Sequence, residues 1–240
     1  MKYFLTVTFL FFTVAVFSQA VNVSPLASYG KIWNDKKYSI YNTAANTPYL
    51  SKAEKEVIYI LNLIRANPVL FTKTVLLKYP VVSGNGYLAE DSFYFISLVN
   101  RLKKMEPLGI LYPDDKCFES AKYHAIASGI AGYVGHERKT KGSKAKKYYN
   151  AECCDYGNTD PLEIVLSLLI DEGIPSLSHR DIFLSSYTKI AVSIQPHKKY
   201  GTNAVFDFYY WNTDFTAFLK QEVLTYTIFI YKIVRRTMRK

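Results

Sequence analysis

The chain has 240 residues, 49% of them hydrophobic and 21% charged, with a formal net charge of +10 at pH 7. A chain of this length buries a sizeable core as one domain, and no internal repeat or low-complexity stretch divides it. The positive charge is local. Arg138 to Lys147 carries six basic and no acidic residues and Lys232 to Lys240 five and none, while what remains after residue 20 is slightly acidic. No aromatic residue interleaves the first of these runs for base stacking, so nucleic acid is disfavoured, and a solvated loop or contact with an anionic surface is expected.

Residues 1–20 have the pattern of a secretory signal peptide: Lys2, then an uncharged apolar run from Phe4 to Phe17, then small Ser18 and Ala20. As a helix that run reaches only about 21 Å, short of the roughly 30 Å needed to span a bilayer. Export to a secreted, periplasmic or cell-envelope location is therefore expected. Residues 21–50, rich in Asn, Ser, Thr and Tyr, predict an extended segment lying over the domain.

The first helix opens at Ser51 with Glu54, an S-x-x-E capping box, carries Val57, Leu61 and Ile64 on one stripe, and ends at Asn67-Pro68. Pro68 opens a second short helix to about Leu77, capped by Asn67, and Gly84-Asn85-Gly86 predicts a loop. Phe95, Leu98, Leu102 and Met105 give a third helix from about Glu90. A fourth starts at Asp114 or Asp115 and runs to about Ile130, with Ala121, Ala125 and Ser128 as a small-residue face and His124 beside it as a packing residue. Asp160, Pro161 and Glu163 open a fifth, stopped near Glu172 by Gly173 and Pro175. Alternation at Ile190, Val192 and Ile194 and again at Ala204, Phe206, Phe208 and Tyr210 gives two strands joined across 195–203, with His197 in the loop. Helices first and strands last predict an α+β domain whose helices cover an antiparallel sheet.

The spacings G-x-S-x-G, H-E-x-x-H, the P-loop and G-x-G-x-x-G are all absent, which weakens hydrolase and nucleotide-binding readings. Attention falls on His136, Glu152, Glu172 and His179. Helical extrapolation puts Glu172 three residues after Leu169 on the apolar face at a helix C-terminus, where a carboxylate requires an arginine, imidazolium or metal partner. Arg180 and Arg138 are candidates for a structural ion pair with it. Three cysteines allow one disulfide; adjacent cysteines rarely pair, so Cys117 bridges to Cys153 or Cys154.

Gly135-His136, Glu152-Cys153-Cys154-Asp155-Tyr156-Gly157, Leu169-Ile170-Asp171-Glu172-Gly173 and Ser178-His179-Arg180 resemble, in order, the motifs of the CAP superfamily, the SCP-like secreted domains. The resemblance runs from about Ser51 to Trp211 and takes in Asn62 to Pro68 and Ala121 to His136. Cys153, Leu169 and Ser178 depart from the family pattern. The resemblance implies a three-layer α-β-α sandwich, with residues 212–240 a C-terminal extension bearing the basic tail. It implies a cleft in which His136, Glu152, Glu172 and His179 converge, with His136 and His179 as zinc ligands and the glutamates as ligands or supports. It also implies a bridge from Cys117 to Cys154, leaving Cys153 over. A non-catalytic binding domain for a metal ion, a lipid, a peptide or a surface ligand is the function expected. A metal-dependent hydrolase in the same cleft is the first alternative. An envelope-associated module acting through Val223 to Tyr231 and the tail beyond is the second.

Overall fold

A computed structural model describes residues 23–84 and 92–210. The expected signal peptide, the end of the expected Gly84-Asn85-Gly86 loop and the expected C-terminal extension lie outside the described residues.

Residues 23–50 are wound rather than extended. They form three short 3-10 turns, Ala27–Tyr29, Lys31–Asn34 and Lys36–Tyr41, and bury Leu26, Trp33, Tyr38 and Ala44 in the main core. Trp33 Nε1 donates to Thr74 Oγ1 at 3.1 Å, so the segment is tied to the domain by a polar anchor as well as by area.

Helix α1 (Lys52–Ala66) begins with the predicted box: Glu54 N donates to Ser51 Oγ at 3.3 Å and Ser51 N to Glu54 Oε2 at 2.7 Å. The other Glu54 oxygen accepts from the Ile194 backbone at 2.9 Å, which explains how a glutamate is tolerated at a buried helix start. Short helices α2 (Pro68–Phe71) and α3 (Tyr79–Val82) flank a π turn at Thr72–Leu76, and α4 (Phe93–Lys104) is capped by Ser92. Pro68 stands at the first position of α2 as expected, but the Asn67 side chain makes no capping bond. Next come β1 (Tyr112–Pro113), α5 (Asp115–Ala131), α6 (Lys141–Ala145), β2 (Ala151–Tyr156), α7 (Pro161–Ile170), α8 (Ser178–Phe183), β3 (Lys189–His197) and β4 (Gly201–Tyr209).

The four strands form one sheet in the order β1-β3-β4-β2. The hairpin β3–β4 and the pair β4–β2 are antiparallel, but β1 runs parallel to β3, so the sheet is mixed and not antiparallel throughout. A two-residue strand containing a proline carries no alternation by which to foresee it.

Register divides the sheet into two faces. Ile190 pairs with Phe208, Val192 with Phe206 and Ile194 with Ala204, and these six join the main core with residues of α1 and α7. The opposite face carries Asn203, Val205 and Asp207 and is covered by α5. Asn203 Nδ2 donates to Ala125 O at 3.1 Å and to Ser128 Oγ at 3.0 Å, and Ala121 and Ala125 pack on Val205. The approach is close enough that a Cβ on Gly129 would fall 2.1 Å from the Pro196 carbonyl oxygen, so that helix position requires glycine. The domain is thus α+β, with helices on both sides of a mixed four-stranded sheet.

Two buried polar side chains of α1 fasten the connections. Asn62 accepts from Leu111 N at 2.8 Å and donates to the carbonyls of Leu111 and Tyr41 at 2.9 and 3.1 Å. Arg65 donates to the carbonyls of Gly109, Phe183, Ser185 and Tyr187, and burial pulls its guanidinium pKa down to about 10.

Candidate functional site

The site begins with the pairing of β2 and β4. Glu152 stands opposite Asp207 on the face covered by α5, so two carboxylates lie side by side under a helix. Arg138 meets both. Its Nη2 donates to Glu152 Oε2 and, at 3.3 Å, to Asp207 Oδ2, and its Nη1 donates to the Ser120 carbonyl at 2.8 Å. All three side chains are almost fully enclosed. Arg138 is therefore no part of a solvated basic loop, whose exposed charge begins at Lys139. Burial lowers the guanidinium pKa, but the two carboxylates outweigh it and hold it above its ordinary value. Burial first, and then the neighbouring Glu152, push Asp207 well above the ordinary aspartate range. Glu152 behaves oppositely. Burial alone raises it, yet the hydrogen bond from His136 and the charges of Arg138 and His124 hold it below the usual glutamate value. A proton shared by this group therefore favours Asp207 over Glu152.

His136 lies at the mouth of this network, half-exposed, with Nδ1 donating to Glu152 Oε1 at 3.1 Å. Its ring centroid is 6.3 Å from that of His179. His179 is mostly buried, and its Nδ1 donates to Asp171 Oδ1 at 2.7 Å. Each imidazole is thus held through Nδ1 by a buried carboxylate, which fixes the tautomer and leaves Nε2 as the lone-pair atom.

The second carboxylate is Asp171 and not Glu172, a correction to the helical extrapolation. α7 stops at Ile170, and Asp171 turns left-handed (φ 58°), a conformation that aspartate tolerates better than most residues. The 100° per residue step no longer applies, so Glu172 swings out and is exposed. Asp171 Oδ2 accepts the backbone N–H groups of His179 at 3.0 Å and Arg180 at 3.3 Å, so one side chain satisfies the opening of α8 and orients the imidazole on it. Arg180 does not pair with Glu172 either. It donates to the carbonyls of Leu169 (2.5 Å), Ile170 (2.6 Å) and Tyr94 (2.9 Å) and to Ser97 Oγ (2.8 Å), clamping the end of α7 against α4. Of the four residues expected to converge, Glu152 bonds His136 and the His136 and His179 rings lie 6.3 Å apart, while Glu172 is exposed and the carboxylate bonded to His179 is Asp171.

Behind His136 lies a second group. His124, Glu152 and Cys154 offer nitrogen, oxygen and sulfur atoms within 4.8 Å of one another, all buried. His124 Nε2 donates to the Gly135 carbonyl at 3.0 Å and lies 3.8 Å from Glu152 Oε1, while Cys154 Sγ is 3.8 Å from His136 Nδ1. Burial lowers the His124 pKa, against the opposing pull of the Glu152 carboxylate. His197 is likewise structural: Nε2 donates to the Tyr133 carbonyl and Nδ1 accepts from Lys199 N and Tyr200 N.

The expected Cys117–Cys154 bridge is absent, and all three cysteines are free and buried. Cys117 belongs to the main apolar cluster and Cys154 to the small one with Ala121, Ala125 and Val205. Cys153 stands opposite Phe206 on the other face of β2 and lies, like Cys117, in the main cluster.

Comparison with protein-family models, curated proteins and solved structures yields no match to this chain.

Proposed function

We propose that the chain is an exported, CAP-like binding domain whose cleft holds a divalent cation between His136 and His179. The observation that carries this reading is the pair of imidazoles 6.3 Å apart, each braced at Nδ1 by a buried carboxylate. Support for the family comes from the order of its motifs along the chain and from helices packed on both sides of the sheet. Zinc suits the donor type, since neutral imidazoles bind it at about 2.0–2.1 Å. Glu152 and Asp171 serve as supports that aim the ligands, and two histidines leave coordination positions for water or for an oxygen of a lipid, peptide or surface ligand.

Binding is favoured over metal-assisted hydrolysis by the commitments of the carboxylates. Glu152 is engaged at one oxygen by His136 and at the other by Arg138, and Asp171 by His179 at one and by two backbone N–H groups at the other. Both carboxylates are thus engaged in holding the imidazoles and the surrounding chain. Calorimetric titration of the protein with zinc tests the reading. Binding that His136→Ala and His179→Ala each abolish is expected, and no heat of binding in the unsubstituted protein removes the metal from the proposal.

A further inference from the structure

The outer face of α5 is unlike the rest of a solvated helix. Its inner face is given to the sheet through Ala121, His124, Ala125 and Ser128. Tyr123, Ile126 and Ile130, at intervals of three and four, fall on the side directly away from the sheet and are exposed, Ile130 by 75% and Ile126 by 38%. Val134, also exposed, follows the glycine that ends the helix. An aliphatic crest on the solvent side of an amphipathic helix demands an explanation, since the sheet already satisfies the helix.

Lysines flank that crest on both sides. The segment Lys141–Lys147 lies along the Tyr123 edge, where Lys146 Nζ is 5.6 Å from the Tyr123 ring and a Cβ on Gly142 would touch it at 3.5 Å. Across the helix, the β3–β4 turn brings Lys198 and Lys199. Lys198 N donates to the Gly129 carbonyl at 2.9 Å, and its side chain would lie 3.4 Å from a Cβ on Gly132. Lys139 stands over the Tyr133 ring at 4.6 Å. Two glutamates dilute this field, Glu119 beside Lys146 and Glu137 beside Lys139.

We infer that this face is a docking surface for an anionic lipid bilayer: Ile126 and Ile130 enter the acyl boundary while the flanking lysines meet lipid phosphates. Charge complementarity selects the partner. A second copy of the chain would set one lysine rim against another, and nucleic acid offers the isoleucines nothing to bury against. Aliphatic groups in the centre and ammonium groups at the edge match the layering of a lipid surface, where long lysine side chains reach outward to the headgroups. The surface is separate from the His136–His179 cleft and does not depend on a metal.

The test is co-sedimentation of the full chain without residues 1–20 on vesicles of phosphatidylcholine containing phosphatidylserine, and on phosphatidylcholine alone. Binding to the anionic vesicles, weakened by salt and much lower on neutral ones, is expected. Ile126→Gln/Ile130→Gln keeps charge and helix propensity and should weaken binding about tenfold or more, as should Lys198→Glu/Lys199→Glu. His179→Ala should bind vesicles as the parent does, which separates this surface from the cleft. No sedimentation of the parent, or isoleucine variants that bind like it, overturns the inference; the latter result would assign lipid contact to the basic C-terminal tail or to another basic surface.

Discussion

Asp171 Oδ1 accepts from His179 Nδ1 at 2.7 Å while its other oxygen accepts the His179 backbone N–H at 3.0 Å, so one carboxylate fixes both the ring and the main chain of the same residue. Asp171→Asn separates these roles. Asparagine tolerates the left-handed backbone at this position, so the turn survives, but the charge that holds the Nδ1 proton is lost. Expected are a stability loss of about 1–3 kcal/mol, for weakened hydrogen bonds to a charged group, and zinc affinity lowered about 10–100-fold. Chemical denaturation and zinc calorimetry on the same variant check both.

Glu172→Ala should do almost nothing. The side chain is exposed, beyond the end of α7, and a surface change of this kind alters stability by about 0.5 kcal/mol or less. Equal melting temperatures and equal zinc titrations for the variant and the parent are expected. A loss comparable with that of Asp171→Asn would return Glu172 to the site.

The contrast between these neighbours shows where sequence reasoning ran out. Helix positions extrapolate only while the backbone keeps helical φ and ψ. One left-handed residue at Asp171 exchanges the roles of two adjacent acids. Signals that obey a fixed period were legible: the Ser51–Glu54 box, the small face of α5 and the alternation of β3 and β4; the nearness of His136, Glu152 and His179 was implied only by the family resemblance. Strand β2 was not, because Glu152, Cys153, Cys154 and Asp155 are all buried and its α5-covered face carries a polar network where alternation would show solvent-facing residues. Arg138 looked like the first residue of a solvated loop because its partners, Glu152 and Asp207, are distant in sequence. Asp207 did leave a trace, as a lone acid between Phe206 and Phe208 in an apolar strand.

The cysteines give a direct chemical check. Three free thiols should titrate with a thiol reagent in denaturant without prior reduction, and react slowly in the native protein because all three are buried. Burial pushes the thiol pKa values of Cys153 and Cys154 far upward, which further suppresses the reactive thiolate. Addition of a reductant should leave the melting temperature unchanged. A bridge would instead contribute about 2–5 kcal/mol that reductant removes.

The buried Glu152–Arg138–Asp207 group makes stability depend on pH in a direction that one substitution isolates. Asp207 has a folded pKa raised, chiefly by burial and then by Glu152, above its ordinary value of 3.8. The native protein therefore holds this proton at pH values where the unfolded chain has released it. The stabilisation is fully present below that ordinary value and is lost as pH rises through the folded one. Glu152, held below its ordinary 4.5, contributes the other way: its stabilisation is present above that value and is lost as pH falls through the folded pKa. Asp207→Asn leaves Glu152 and Arg138 in place. It replaces a carboxyl whose ionisation is disfavoured in the native protein with an amide that cannot ionise. Near pH 4 the two proteins should be about equally stable, while near pH 8 the variant should be the more stable. Urea denaturation across this range measures the difference directly. A gap that does not widen with pH would mean that Asp207 ionises in the native protein and that Arg138 carries both charges.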